Sequence, residues 1–229
     1  MKIELGFGSG TQVVDIPDAN VLDILEPNSI QVDLKGVKEV SRALLAPISS
    51  PLLRNLINHG EKIAIITSDI TRPMPTHLVM PLILDELYAG GAKPEDITLV
   101  FALGSHRKHT KEEQRKLAGE RAWNEVTCLD GDASDFVRLG KTSRGTPVDI
   151  VRPVALADRR ICLGNIEYHY FAGYSGGAKA IMPGVSTRQA IQANHSLMVE
   201  DYACAGRLEG NPVREDIEEA VRRFCSIDF

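Results

Sequence analysis

Two short apolar runs constrain this chain more than any other feature. Lys62–Thr67 (KIAIIT) and Ile97–Leu103 (ITLVFAL) are too short for core helices, show no polar alternation, and break into a polar turn before a helical stretch. Uninterrupted apolar strands are buried on both faces, which is the pattern of a parallel sheet covered by helices. The first run leads through Ser68–Arg72 to a helix over about Pro75–Ala89, stopped by Gly90-Gly91. The second leads through Gly104–Thr110 to a helix over Lys111–Ala118, where Thr110 and Glu113 have capping-box spacing. The fold class expected is α/β: a largely parallel sheet flanked by helices, with one domain covering residues 1–229.

Ligands of open α/β sheets bind beyond the carboxyl ends of the strands. That rule singles out Asp69, Thr71 and Arg72 after the first run and His106 after the second. Arg72 offers a planar two-pronged contact to a carboxylate or phosphate. Asp69 can accept from ribose hydroxyls or orient a neighbour; the plainer alternative is a helix cap with Arg72 as its surface partner. His106, an imidazole at a strand end, is a candidate for proton transfer, against the plainer alternative of a hydrogen-bonded structural histidine. His109, beside the cap, is expected to be solvated. Asp130, Asp132 and Asp135, after a candidate strand Val126–Leu129, are expected to form a solvated turn or helix start rather than a metal site.

A further strand, Ile161–Ile166, is expected to deliver His169 and the segment AGYSGGAKAIMPG to the same edge. Gly173, Gly176, Gly177 and Gly184 would let backbone amides approach a ligand, with Lys179 directly after the loop. This is not the phosphate loop of nucleotide hydrolases, because Ala178 and Ala180 stand where that motif needs a glycine and a hydroxyl. The following VSTRQAIQANHSLM reads as a helix capped by Ser186 or Thr187, from which His195 projects. Elsewhere Lys2–Phe7 and Thr11–Ile16 suggest an N-terminal β-hairpin, and Ser29–Leu34 an extended connector. Val37–Pro47 and Pro51–Asn58 suggest short helices, Leu139–Val151 a hairpin turning at Ser143-Arg144-Gly145, and Asn211–Cys225 a capped amphipathic helix. A further apolar element begins at Ser226, and the chain reads as cut short there.

With 26 Lys+Arg against 31 Asp+Glu and 5% aromatic residues, the chain lacks the charge footprint and stacking platforms of a nucleic-acid binder. No window approaches the ~18 apolar residues of a membrane span, so no membrane association and a cytoplasmic location are expected. Cys128, Cys162, Cys204 and Cys225 are dispersed, with no zinc or iron–sulfur spacing. No G-x-G-x-x-G follows a predicted strand, which argues against an NAD-type dehydrogenase.

In order along the chain stand TSDITRP, ALGSHR, TSRGTPV, GNIEYHYFAGYSGGAKAIMPG, ANH and GNPVREDIEEA. With these motifs the sequence resembles the N-terminal domain of the nickel-pincer-nucleotide-dependent lactate racemase family, over nearly its whole length. The resemblance implies the N-terminal half of a two-domain enzyme, with the second α/β domain absent here. It implies a racemase or epimerase of 2-hydroxy acids that uses nickel held by pyridinium-3,5-bisthiocarboxylic acid mononucleotide, through a keto-acid intermediate. It further implies that Lys179 attaches the cofactor, that His195 ligates nickel, and that His106 and His169 move protons. Arg72 would orient the substrate and Phe171 would lie against the pyridinium ring, with Asp69, Thr71, Gly176 and Gly177 completing the cofactor site. Cofactor-biosynthesis proteins follow as partners. The residues agree in one respect: a single histidine cannot select nickel, so further donors must arrive with the cofactor. The alternative is a non-catalytic nucleotide-binding module or an inactive fragment of such an enzyme.

Overall fold

The computed structural model describes residues 1–229, which divide into two compact units, residues 1–34 and 35–229. The first unit contains the expected hairpin: β1 (Lys2–Phe7) and β2 (Gly10–Asp15) pair antiparallel, from Lys2 opposite Asp15 to Phe7 opposite Gly10. Gly8 makes the reversal possible, since its φ of +59° lies in the left-handed region. No residue of this unit is buried, and residues 29–34 form neither helix nor strand.

The second unit begins with helix α1 (Val37–Leu45). The helix expected over Pro51–Asn58 is not formed; that segment makes a single 3₁₀ turn, Leu53–Asn55. So short a segment does not recover the cost of helix nucleation. One turn already seats Leu53 and Ile57 in the core and pairs Arg54 with Glu86.

β3 (Ile63–Ser68), α2 (Thr76–Ala89) and β4 (Ile97–Ala102) then follow as expected. Next come α3 (Lys111–Ala118), with its capping box formed, α4 (Glu120–Glu125) and β5 (Thr127–Asp130). The hairpin β6 (Phe136–Lys141) and β7 (Pro147–Val151) and the short α5 (Arg152–Ala155) precede β8 (Arg159–Leu163). The four parallel strands lie in the order β5-β4-β3-β8. The chain thus builds outward from β3 and then crosses back to its other side, creating a switch point where strands β3 and β4 lead away from β8.

β8 ends three residues before the expected Ile166. The Asn165 carbonyl accepts from the Ser175 hydroxyl (2.8 Å), which turns the chain out of the sheet. His169 therefore sits on a separate two-stranded hairpin, β9 (Tyr168–His169) and β10 (Gly173–Tyr174). A 3₁₀ turn at Gly177–Ala180, helix α6 (Arg188–His195) and helix α7 (Pro212–Phe224) complete the unit. Thr187 caps α6 and Asn211 caps α7 through their side chains. No helix is long and apolar enough to cross a membrane.

The pleat explains why the apolar runs lack alternation. Ile63, Ile65, Leu99, Phe101 and Ile161 pack on one face against Met80, Ile83, Leu84 and Leu87 of α2. Ala64, Ile66 and Val100 pack on the other face with Val148, Ile150, Ile181, Ala190 and Ile217. Fully burying each of the larger side chains is worth about 1.5–3 kcal/mol, so both faces must stay apolar. At the sheet edge Asp228 N donates to the Arg160 carbonyl and Cys162 N to that of Phe229, both at 2.9 Å.

Candidate functional site

The connections after β3, β4 and β8 meet the β9–β10 hairpin, the 3₁₀ turn and α6 around a cavity of about 350 Å³. Asp69, Arg72, His106, His169, Phe171, Gly176, Lys179 and His195 all line it. Thr71 and Gly177 do not. Thr71 stands behind Asp69, its hydroxyl donating to Oδ1 at 2.8 Å.

On the β4 side, Asp69 is 4% exposed and its Oδ2 lies 2.6 Å from His106 Nδ1. The Asp69 side chain caps no helix, because α2 starts after Pro75 without a side-chain cap. The carboxyl group instead orients a histidine, leaving Nε2 of His106 as its free edge. The expectation for His109 is overturned: its side chain is 1% exposed, edge-on to Phe101. Asp130, expected in a solvated turn, takes both the His109 backbone N–H (2.8 Å) and Nδ1–H (2.6 Å). His109 Nε2 accepts from the Ile70 backbone N–H at 3.1 Å. This histidine therefore ties β5 to the loop that carries Asp69 and Arg72. Asp132 does form a turn as expected, accepting from Ser134 N and pairing with Lys108.

On the β8 side the groups are aromatic. Phe171 is 4% exposed and meets His169 and His195 edge-on, at centroid separations of 4.5 and 4.9 Å. His169 also stacks on Tyr170, and its Nδ1 accepts from Ala172 N at 3.2 Å. Burial, then the positive charges of Lys179, His195 and Arg72, push the His169 pKa down to about 4. Burial and Lys179 likewise lower that of His195.

Lys179 lies in the 3₁₀ turn rather than in open loop. Burial foremost, then Arg72 and Arg214, pull its pKa down to about 8, with Glu167 opposing. The shift favours the free amine, the form that attacks a carbonyl-type carbon. The surrounding positive charge favours an anionic ligand. Two of the four glycines allow close packing of the chain on itself; Gly184 also lines the cavity, whereas Gly173 does not. A Cβ on Gly173 would sit 2.1 Å from the Arg207 carbonyl oxygen, and one on Gly184 2.2 Å from that of Ala180. Gly176 and Gly177 have φ of +75° and +56°, in the left-handed region, and of the two only Gly176 lines the cavity.

No group of three or more His, Cys, Asp or Glu side chains converges as a metal cage. A metal at His195 would thus draw its other donors from a bound molecule, and the residues present fit that demand: one imidazole edge, one depressed lysine and an aromatic wall on a single cavity. Sequence reasoning missed Asn165, Glu167 and Ser175 on the cavity wall, and His109 and Asp130 behind it. It also missed Asn194, although a signal existed: Asn194 is polar on the inward stripe of α6 with Ala190 and Ile191.

The lactate racemase N-terminal domain family matches residues 7–206. Lactate racemase from Thermoanaerobacterium thermosaccharolyticum is 33% identical over 97% of the chain, and that from Lactiplantibacillus plantarum is 34% identical over 97%. The chain spans about half the length of these curated relatives, 54% in each case. Among solved structures, the lactate racemase apoprotein of T. thermosaccharolyticum superposes with a TM-score of 0.80 at 32% identity, covering 97% of this chain and 53% of that one. A Thermotoga maritima protein shares the fold, with a TM-score of 0.68 at 22% identity over 84% of this chain and 48% of its own.

Proposed function

Because the chain belongs to the lactate racemase N-terminal domain family, we propose that it is the cofactor-binding half of a racemase or epimerase of 2-hydroxy acids. The observation that carries this reading is the meeting of Arg72, His106, His169, Lys179 and His195 on one cavity. When bound, a nickel-carrying pyridinium-3,5-bisthiocarboxylic acid mononucleotide would supply a hydride acceptor, so that the substrate becomes a planar keto acid instead of a carbanion beside a carboxylate. Lys179 would hold the nucleotide through its amine, His195 would donate one nitrogen to nickel, and Phe171 would wall the ring. Asp69, Gly176 and, from behind, Thr71 and Gly177 would shape the remainder of the site.

The protein's own share is binding, orientation and proton movement. Arg72 clamps the substrate carboxylate, which a planar fork does better than a point charge. His106, held at Nδ1 by Asp69, takes the hydroxyl proton of one enantiomer at Nε2. His169 serves the other enantiomer from the opposite side, and each histidine returns a proton to the carbonyl oxygen when reduction occurs on its own side. A cytoplasmic location and delivery of the nucleotide by cofactor-biosynthesis proteins belong to the same reading.

The test uses the full-length, nickel-loaded protein with a panel of chiral 2-hydroxy acids and no added NAD. Interconversion of D and L forms, with a mass increase on the Lys179 peptide, is expected. Nickel-loaded protein that turns over none of them would overturn the reading, leaving a nucleotide-binding module.

A further inference from the structure

Beneath His195 lies a buried polar node joining α6, α7 and the β6–β7 turn. Asp216 on α7 is 1% exposed. Its carboxyl oxygens accept from the hydroxyls of Thr142 (2.5 Å) and Thr146 (2.7 Å) and from the side-chain amide of Asn194 (2.8 Å). The Asn194 amide gives its other proton to the Val213 carbonyl at 3.1 Å. A backbone carbonyl can only accept, so this amide cannot be turned over: its nitrogen faces α7 and its oxygen faces away.

That oxygen lies 3.2 Å from His195 Nδ1. An amide oxygen also only accepts, so Nδ1 must carry the ring proton, and the lone pair of the neutral imidazole is on Nε2. His195 lines the cavity, and no buried side-chain nitrogen or oxygen lacks a partner, so Nε2 opens into that space.

We propose that Asn194, oriented by Asp216 and Val213, is a positioning residue that fixes His195 as the Nδ1–H tautomer and presents Nε2 as its one donor atom to a metal ion in the cavity. The identity of that ion rests on the function proposed above; the tautomer does not. Metal-bound histidines generally rely on a partner at the second nitrogen. That partner here is a neutral amide, which fixes the proton without placing a carboxylate against the imidazole. The two threonines and Asp216 lock the amide from below, so helix packing is coupled to the direction of one lone pair.

The experiment begins with ¹⁵N-histidine-labelled, metal-free protein at pH 8, above the ordinary imidazole range of about 6.5. Long-range ¹H–¹⁵N spectra should show His195 wholly as the Nδ1–H form. In Asn194→Leu the ring should revert toward the Nε2–H form that unconstrained histidine favours; Asn194→Ser, too short to bridge His195 and Asp216, gives the same comparison if the leucine variant does not fold. A predominantly Nε2–H ring in the unaltered protein, or no tautomer change in the variant, overturns the proposal. In the full-length, cofactor-loaded protein the variant should retain the Lys179 adduct but bind nickel about 10–100-fold more weakly. Unchanged nickel retention would also overturn it. Because the tautomer is read without metal or substrate, it can fail while the racemase reading stands, and the reverse.

Discussion

His106, at the end of β4, leans on a carboxylate, whereas His169, on the β9–β10 hairpin, leans on aromatic faces and a backbone amide. The Asp69 contact at 2.6 Å assigns the His106 proton to Nδ1 and leaves Nε2 ready to accept. The Ala172 N–H does the opposite to His169: it occupies the Nδ1 lone pair, so a neutral His169 presents an N–H at Nε2. Burial and neighbouring cations also hold that ring neutral, with its pKa at about 4. For His169 to take a hydroxyl proton, its ring must turn or release Ala172. The two half-reactions of the proposed racemase are therefore not mirror images, and the reorganisation falls on the His169 side.

The strongest challenge to this comparison is to remove each histidine from the full-length, loaded enzyme. His106→Ala and His169→Ala should each lower net racemisation about 10²–10⁴-fold, the usual worth of an acid–base group. A single turnover with α-deuterated substrate should separate them, each variant still accepting label from one enantiomer and the preference reversing between them. Equal loss for both enantiomers in both variants would erase the distinction. A smaller effect is expected from Asp69→Asn, which keeps shape but offers a donor to Nδ1. The half-reaction served by His106 should slow about 10–100-fold, as for other groups that orient a functional histidine. If both directions slow alike, Asp69 does not act through His106.

The β4 side is also propped from behind. His109→Leu leaves Asp130 Oδ1 and the Ile70 N–H without their side-chain partner and should destabilise the fold by about 1–3 kcal/mol in urea unfolding. An unchanged midpoint would show that the loop holds itself. The smallest effect concerns pH. The folded-state pKa of His169 is depressed to about 4, whereas an unfolded histidine titrates near 6.5, so between these values the unfolded chain binds more protons. Its contribution to stability is present above pH ~6.5 and is lost as pH falls toward 4. His169→Phe should flatten that slope in urea unfolding across the window, and an unaltered slope would assign it to other groups.

What was legible in the sequence follows from locality. The apolar runs of β3 and β4, the Thr110–Glu113 capping box and the Asn211 cap depend on neighbours within a few residues, and all formed. His109 was misjudged because what buries it comes from elsewhere: Asp130 is 21 residues away and Ile70 is 39. The glycines show a second kind of limit. A missing Cβ leaves room, but composition does not say what occupies it, and at Gly173 and Gly184 the occupant is the chain's own backbone. The cavity's histidines, arginine and lysine were identified through strand ends and resemblance; their tautomers depend on partners such as Ala172 and Asn194, which only tertiary structure supplies.

The strand order has a kinetic corollary. β3 and β4 are joined by a single crossover, but β8 reaches its place beside β3 only after the intervening chain has folded back, as the Lys62–Asp158 hydrogen bond across 96 residues records. Closing a loop of that length is entropically costlier and slower than the local pairings. The β3–β4 wall should therefore gain amide protection first and β8 last. On that order Lys179 and His195, which follow β8 in the chain, should reach the cavity after its β3–β4 wall, making the ligand site a late product of folding.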